Sequence, residues 1–382
     1  MKYQVLARKW RPQNLDQIAG QKNIIQAIKN SFILNRIHHA WLLYGMRGTG
    51  KTSIARILAK ILNCKNKNNE IACRICTNCK NIEKGTFLDL IEVDAASRTK
   101  VEDMKDLLKN IQYLPIEGQL KIYLIDEVHM LSRHSFNALL NYIEEPPIHV
   151  KFILATTNIE KVPKTIISRC LQLNLKPIKE LEIIDKIKYI LKKEKINFEE
   201  HAIKYIARVS EGSLRDALSL TEHAILIGKG MISVQLILVI TGSLHDHQSI
   251  KIITALLNNH TVSITYIFKK INQLNIEWDQ ILLNILRILH QIAMIQSFQS
   301  TWDNYEFSKT NHNQLIYLAK SISPLLIHKS YQELLLGRKE LPFAPNSKIG
   351  VEMSLLRLIN IAKKYNKTKI KQNIEIKNNN IK

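Results

Sequence analysis

The chain has 382 residues, 46% of them hydrophobic, with 55 Lys and Arg against 33 Asp and Glu, a formal charge of +22. Length allows two or three domains, each with its own core. No apolar run reaches the 18 or more residues of a membrane span, and Met1-Lys2-Tyr3-Gln4-Val5 lacks the apolar core and cleavage site of a secretory signal; no membrane association is expected, and cytoplasm is the expected compartment. The positive excess fits a polyanionic partner, nucleic acid first. It fits equally a chain rich in Ile, Lys and Asn throughout, as AT-rich DNA would encode.

Val5 to Gln21 reads as a polar, Pro-containing arm and Ile24 to Leu34 as a helix. Ile37-His38-His39 leads into Ala40-Trp41-Leu42-Leu43-Tyr44, short and apolar as a buried parallel strand should be. With no third ligand nearby, the paired histidines are expected to be solvated or hydrogen-bonded rather than metal-bound. Next comes Gly45-Met46-Arg47-Gly48-Thr49-Gly50-Lys51-Thr52, which fits G-x-x-x-x-G-K-[ST], and Ser53 to Lys60 has the apolar spacing of an amphipathic helix. Strand, glycine loop and helix are what phosphate binding needs. Glycines let backbone N–H groups turn toward phosphate oxygens, and the helix N-terminus adds partial positive charge. Lys51 is expected to reach the β- and γ-phosphates of ATP, and the Thr52 hydroxyl to ligate Mg²⁺.

Four of the five cysteines, Cys64, Cys73, Cys76 and Cys79, follow with spacing C-x8-C-x2-C-x2-C, and Cys170 stands apart. In a cytoplasmic chain such clustering points to metal rather than disulfides. Four thiolates close a tetrahedron around Zn²⁺ and leave no open position, so the expected site is structural. An iron–sulfur cluster is the rival; the upstream fourth cysteine and the lack of a following Cys-Pro favour zinc.

Leu88 to Val93 reads as the next strand and Val101 to Ile111 as a helix. Lys121-Ile122-Tyr123-Leu124-Ile125 is a third buried strand, with Asp126-Glu127 at its carboxyl end, where parallel sheets bind ligands. There Asp126 would hold Mg²⁺, directly or through water, and Glu127 would polarise the attacking water as general base. Two acids after a strand can also cap a helix, but downstream of a P-loop they indicate ATP hydrolysis. A helix from Ser135 to Ile143 stops before Pro146-Pro147. Val150 to Ala155 is a fourth strand ending in Thr156-Thr157, whose hydroxyl could meet the γ-phosphate or the water, or be an ordinary turn hydroxyl. Ser168-Arg169-Cys170 precedes the strand Leu171 to Leu175.

Beyond Pro177 the pattern turns helical. Ile178 to Lys193 is a lysine-rich helix, and Gly212-Ser213-Leu214-Arg215-Asp216-Ala217 reads as a helix start with Ser213 as N-cap and Asp216 completing a capping box. Arg215 then lies in the first turn, unfavourable against the dipole unless something anionic compensates; ATP phosphate and a nearby carboxylate are the candidates. Ser243 to Ile361 stays helical, with Ile281 to Ile295 apolar enough to need a core or another subunit. Gly337 to Pro342 is expected to separate the last helices. From Lys363 on, seven lysines face the single acid Glu375, which reads as a disordered basic tail.

These residues together resemble the gamma/tau subunit family of bacterial DNA polymerase III, from about Tyr3 to Leu358. The most specific runs are Tyr3-Gln4-Val5-Leu6-Ala7-Arg8-Lys9-Trp10-Arg11-Pro12, Asp94-Ala95-Ala96-Ser97-Arg98-Thr99-Lys100-Val101-Glu102-Asp103 and Leu124-Ile125-Asp126-Glu127-Val128-His129-Met130-Leu131-Ser132. Ser168-Arg169-Cys170 and the run from Gly212 to Ala217 add to them. The resemblance implies an α/β AAA+ P-loop module with a parallel sheet and a zinc-binding insertion, then a helical lid and an all-α collar that assembles a ring. It implies that Arg169 is an arginine finger reaching a neighbour's ATP, that Thr157 and Arg215 are the first and second sensors, that the four clustered cysteines hold zinc, and that Arg11 and Pro12 lie near the adenine. The family's longer form continues past the collar with segments binding the replicative helicase and polymerase; this chain ends at Lys382, in a gamma-length form without them.

The domains expected are 1–177 for the ATPase module with its zinc insertion at about 64–79, 178–242 for the lid, 243–362 for the collar and 363–382 for the tail. The function implied is that of the clamp-loader ATPase: with other loader subunits, it uses ATP to place a sliding clamp on primed DNA. It would belong to the DNA-directed DNA polymerase holoenzyme, a nucleotidyltransferase, without a polymerase site of its own. The competing classes are a branch-migration or other AAA+ motor, which lacks the cysteine insertion, an architectural subunit with a vestigial site, against which Lys51, Thr52, Asp126, Glu127 and Arg169 stand intact, and a small-molecule kinase, which leaves the helical third unexplained.

Overall fold

The structure is a computed structural model that describes residues 4–66, 71–97, 108–242, 246–257, 277–298 and 309–379. Five parallel strands form its main sheet: β1 (Ala40–Gly45), β2 (Leu90–Asp94), β3 (Lys121–Asp126), β4 (Val150–Thr156) and β5 (Leu171–Leu175). Their order is β2-β3-β4-β1-β5. β1 thus lies between two strands that follow it in the chain, and such a reversal opens a crevice at the carboxyl ends of the strands. Register brings those ends level. Tyr44 stands opposite Thr156 and Asn174, and Ile125 opposite Leu154.

The helices beside this sheet are α1 (Leu6–Lys9), α2 (Lys22–Ile33), α3 (Lys51–Asn63), α4 (Thr77–Lys84), α5 (Arg133–Glu144) and α6 (Lys164–Ile167). Side-chain alternation along the strands sorts them into layers. Trp41, Leu43, Ile122, Leu124, Ile153 and Ala155 point to one face, against Ile28 of α2 and Ile54 and Leu58 of α3. Leu42, Tyr123, Ile125, Phe152 and Leu154 point to the other, against Phe136 and Leu139 of α5 and Ile166 of α6. With both faces covered, each strand can be apolar along its whole length, as the sequence reads. The link into β3 is pinned by Asp89, 1% exposed, which accepts from the backbone N–H groups of Ile116, Glu117 and Gly118 at 2.8, 2.7 and 2.7 Å. A buried carboxylate persists only with donors of this kind.

After β5 the chain enters the helices α7 (Glu180–Glu194), α8 (Glu200–Val209) and α9 (Leu214–Ile227), with a two-stranded parallel ladder of β6 (Asn197–Phe198) and β7 (Met231–Ile232). Ile187, Ile190, Leu191, Ile203 and Ile206 form the buried side of these helices. The arm expected to be merely polar is in part helical and straps onto this bundle. Leu6 N–H donates to Glu222 of α9 at 2.6 Å, Trp10 Nε1–H to Glu194 of α7 at 2.8 Å, and Lys9 pairs with Glu194 at 2.7 Å. The Trp10 ring packs edge-on against Tyr189, centroids 5.8 Å apart.

The chain divides into two compact units, Met1–Val234 and Gln235–Lys382. The second unit is helical where it is described. Its helices are α10 (Val234–Thr241, its first residue in the preceding unit), α11 (Asp246–Leu257), α12 (Trp278–Ser297), α13 (Lys309–Ser321), α14 (Pro324–Glu340) and α15 (Ser347–Asn379). The apolar stretch from Ile281 to Ile295 packs inside it, Ile281, Leu282, Ile285, Ile288, Leu289 and Ile292 being almost fully buried. Two expectations are corrected here. α14 runs through Gly337, because the missing side chain lets Ser354 of α15 close against it; the break comes at Leu341–Phe343, where Pro342 cannot continue the ladder. The stretch taken as a disordered tail is helical in backbone to Asn379. No Gly or Pro follows Gly350, and lysine is a good helix former, so nothing local ends the helix. The helix expected from Val101 lies outside the described residues as far as residue 107.

Candidate active site

The loop between β1 and α3 is shaped by two close approaches. Gly45, φ +144°, passes so near β5 that a Cβ would overlap the Leu175 carbonyl oxygen. Gly48, φ +78°, lies so near the N-terminus of α9 that a Cβ would overlap the Ser213 hydroxyl and stand 3.3 Å from the Arg215 Cβ. Only glycine tolerates both the angle and the contact. Met46 and Arg47 are exposed on the crest of the loop, whereas the Thr49 hydroxyl turns inward and donates to the Met46 carbonyl at 2.8 Å. Gly50 caps α3 at φ +107°.

Lys51, 6% exposed, donates from Nζ to the Gly45 and Met46 carbonyls at 2.8 and 2.9 Å. Burial lowers its pKa from the ordinary lysine value, and the carboxylates of Glu127 and Asp126 oppose that shift. In the first turn of α3, Thr52 Oγ1–H donates to Asp126 Oδ2 at 2.7 Å. Asp126 ends β3, and its Oδ1 accepts the Glu127 N–H at 3.0 Å. Glu127 itself is left-handed at φ +48°, a strained conformation for a non-glycine residue. That turn brings its carboxylate across to the end of β4, where Oε2 accepts from Thr157 N–H at 3.0 Å and Thr157 Oγ1–H at 2.8 Å. Thr157, Glu127, Asp126 and Thr52 therefore form one connected group, and Lys51 is coupled to its two carboxylates by charge.

Arg215 lies in the first turn of α9, whose N-cap Ser213 accepts the Asp216 N–H at 3.2 Å; this is the Ser213 half of the expected capping box. The arm contributes a further cation. Arg11 Nε–H reaches Ser53 Oγ at 3.4 Å, and burial, with Arg56 next in size, lowers its pKa against the pull of Glu92. Arg215 and Asp126 act on the same guanidinium with opposite sign. Arg169 is bonded elsewhere, to Glu144 at 2.7 Å and to the Thr165 carbonyl at 2.9 Å, with its side chain 40% exposed.

Sequence reasoning assigned His129 no role and left the Thr156 hydroxyl as one of two candidates at the end of β4, without linking the two. His129 Nδ1 lies 3.0 Å from Thr156 Oγ1 and 3.3 Å from Glu127 Oε2. His129 and Thr156 meet only because Glu127 is left-handed and β3 pairs with β4.

The four clustered cysteines converge, all four Sγ atoms lying within 4.8 Å of one another, with Cys64 and Cys79 buried. A turn at Arg74, φ +61°, folds the chain back, and amide N–H groups point at sulfur: Cys73 to Cys64 Sγ at 3.2 Å, Cys76 to Cys73 Sγ at 3.3 Å, Cys79 to Cys76 Sγ at 3.5 Å. The Cys76 amide draws the Cys73 thiol down to about 6, while burial pushes Cys79 up. Zn–S bonds of about 2.3 Å in a tetrahedron place sulfurs about 3.8 Å apart. The cluster has the right donors at nearly that spacing, so it could hold zinc. Cys170 is buried apart from it, and burial pushes its thiol up to about 12.

A P-loop after β1, an acidic pair after β3, hydroxyls after β4 and a helical lid touching the loop define a P-loop ATPase of the AAA+ class. Comparison with known proteins is specific. Three family descriptions match in succession: DNA polymerase III, delta subunit, over residues 20–179; DNA polymerase III clamp loader subunit, ATPase lid domain, over 182–230; and DNA polymerase III subunits gamma and tau domain III, over 232–374. DNA polymerase III subunit gamma of Buchnera aphidicola subsp. Baizongia pistaciae is 53% identical over 362 residues, covering 94% of this chain and 98% of that one. DNA polymerase III subunit tau of Escherichia coli is 50% identical over 359 residues, 94% of this chain and 56% of that one. Among solved structures, the Thermotoga maritima RuvB Holliday junction branch migration motor matches at 21% identity and a TM-score of 0.46, over 66% of this chain and 80% of that one. The chain belongs to the DNA polymerase III gamma/tau family and is a clamp-loader ATPase subunit.

Because Gly48 and Ser213 are in contact, Gly48→Ala must displace the lid from the loop. Titration with a fluorescent ATP analogue should show affinity lowered at least about tenfold, or roughly 1.4 kcal/mol. Unchanged affinity would contradict the packing described.

Proposed function

We propose that this chain is the ATP-hydrolysing subunit of a hetero-oligomeric ring that opens a sliding clamp and releases it closed around primed DNA during chromosomal replication. The observation that carries the reading is the connected group Thr52–Asp126–Glu127–Thr157, with Lys51 coupled to its carboxylates by charge and Arg215 beside Gly48. Gly45 to Thr52 wrap the phosphates, and Lys51 leaves the loop carbonyls to meet the β- and γ-phosphates. Thr52 Oγ1 and Asp126 Oδ2, hard oxygens 2.7 Å apart, suit Mg²⁺, which when bound offsets charge on the β- and γ-phosphate oxygens. Glu127 orients and polarises the attacking water, and Thr157 senses the γ-phosphate. Arg215 carries that state to the lid.

Arg169 serves a neighbour. Its described partners, Glu144, Thr165 and Ser168, all lie outside the connected group, which supports a finger presented outward. A finger supplied in trans is worth about 10³–10⁵ in rate, enough to keep isolated subunits idle and to tie hydrolysis to assembly. Cys64, Cys73, Cys76 and Cys79 hold a structural zinc that pins the loop before α4. The helices beyond residue 242 form the collar, and the surplus of positive charge suits a DNA-encircling assembly in the cytoplasm. Nucleotidyl transfer belongs to other subunits of the holoenzyme.

Arg169→Ala should leave ATP binding intact while the assembled ring loses about 10³-fold in hydrolysis. Normal turnover by that ring would sink the trans assignment. Metal analysis of the purified chain should find about one zinc per chain, lost together with rapid reactivity of all four clustered thiols when a strong chelator is added. Four thiols that react freely in chain purified without chelator would rule the zinc out.

A further inference from the structure

Among the described residues, both hydrogen bonds of the Glu127 carboxylate fall on Oε2, from the Thr157 N–H and the Thr157 hydroxyl, and His129 Nδ1 lies 3.3 Å from the same oxygen. The protonation of that histidine nitrogen follows from its neighbours. Thr156 is fully buried, and its Oγ1 lies 3.0 Å from the Asn158 carbonyl oxygen, which can only accept. The one hydroxyl proton is committed there. The same oxygen accepts the Asn158 N–H at 3.1 Å and keeps one lone pair for His129 Nδ1 at 3.0 Å. With that proton committed, Nδ1 is the donor to Thr156 Oγ1, and it stands 3.3 Å from Glu127 Oε2.

We propose that His129, in the turn after β3 and anchored to Thr156 at the end of β4, is a positioning residue for Glu127. Its Nδ1 lies 3.3 Å from Oε2, beside the two donors from Thr157, and acts on that oxygen by polarity rather than by a third hydrogen bond. With Oε2 held, Oε1 is the oxygen left to take the attacking water, and the carboxylate cannot rotate without breaking both Thr157 bonds and leaving His129. The left-handed backbone at Glu127 makes this restraint necessary, because the strained turn has no intrinsic preference for the catalytic orientation. The inference rests on the reading of Glu127 as the base. It adds that the orientation of that base is set by a histidine two residues on.

The test uses the ring assembled with its loader partners, clamp and primed DNA, with ATP affinity measured in parallel. His129→Ala removes the donor. His129→Asn puts an Nδ2–H where the ring carries Nδ1–H. His129→Gln keeps bulk but sets its donor one bond farther out, and decides the matter if the alanine variant fails to fold. Expected are a kcat about 10- to 100-fold lower for Ala and Gln, with KM and affinity for ATP within about twofold, and recovery by Asn to within about threefold of wild type. Wild-type kcat in Ala or Gln, equal loss in Asn and Ala, or a raised KM at constant kcat would each overturn the proposal. Glu127→Gln separates the two claims. If it hydrolyses ATP normally, the base assignment falls and the proposal with it; if it is inert beside a fully active His129→Ala, only the role of His129 falls.

Discussion

One charge arrangement governs the crevice: the ammonium of Lys51, held in an almost fully buried position, facing Asp126 and Glu127 across the end of an apolar sheet. A buried ammonium is costly unless opposite charge and hydrogen bonds answer it. Here two loop carbonyls and two carboxylates do so, the carbonyls from Gly45 and Met46 of the P-loop and the carboxylates from Asp126 and Glu127 at the end of β3. The strand order follows as a requirement. β1 must lie close to β3 for the P-loop lysine and the acids to meet, and β4 between them brings its own hydroxyls to the same level. These are the charges that a polyphosphate and its cation would also satisfy, so the crevice is arranged in advance for such a ligand.

The same economy ties the lid to the sheet. α9 begins against Gly48, so any movement of the phosphate loop is felt at Ser213 and Arg215. The arm closes a second connection on the other side. Leu6, Lys9 and Trp10 are fastened to α7 and α9, while Arg11, the next residue, reaches α3 and the field of Asp126. Loop, lid and arm thus share contacts within the first compact unit, which is what a switch needs if occupancy is to be converted into a change of shape.

How much of this was legible in the sequence depends on distance along the chain. The P-loop, the acidic pair, the lid N-cap and the cysteine set are local, with chemistry and spacing that constrain each other, and the structure brings each together as read. The central strands were equally plain, since burial on both faces leaves an unbroken apolar run. The roles of Thr157, Arg169 and Arg215 came from resemblance rather than spacing, because each acts on something outside its own segment. The pairing of His129 with Thr156 was invisible: they become neighbours only through strand pairing and one left-handed residue. Gly337 and the lysine-rich end were misread for the opposite reason. Composition suggested a breaker and a coil, but a close helix crossing wants the glycine, and a stretch without Gly or Pro has no local cause to stop.

The central claim is that hydrolysis at this site is coupled to clamp loading. The direct measurement is the steady-state ATPase rate of the chain assembled with its loader partners, alone, with clamp, with primed DNA, and with both. Strong stimulation that needs clamp and primed DNA together is the predicted result. Stimulation by DNA alone, indifferent to the clamp, would contradict it and mark the site as that of a DNA motor.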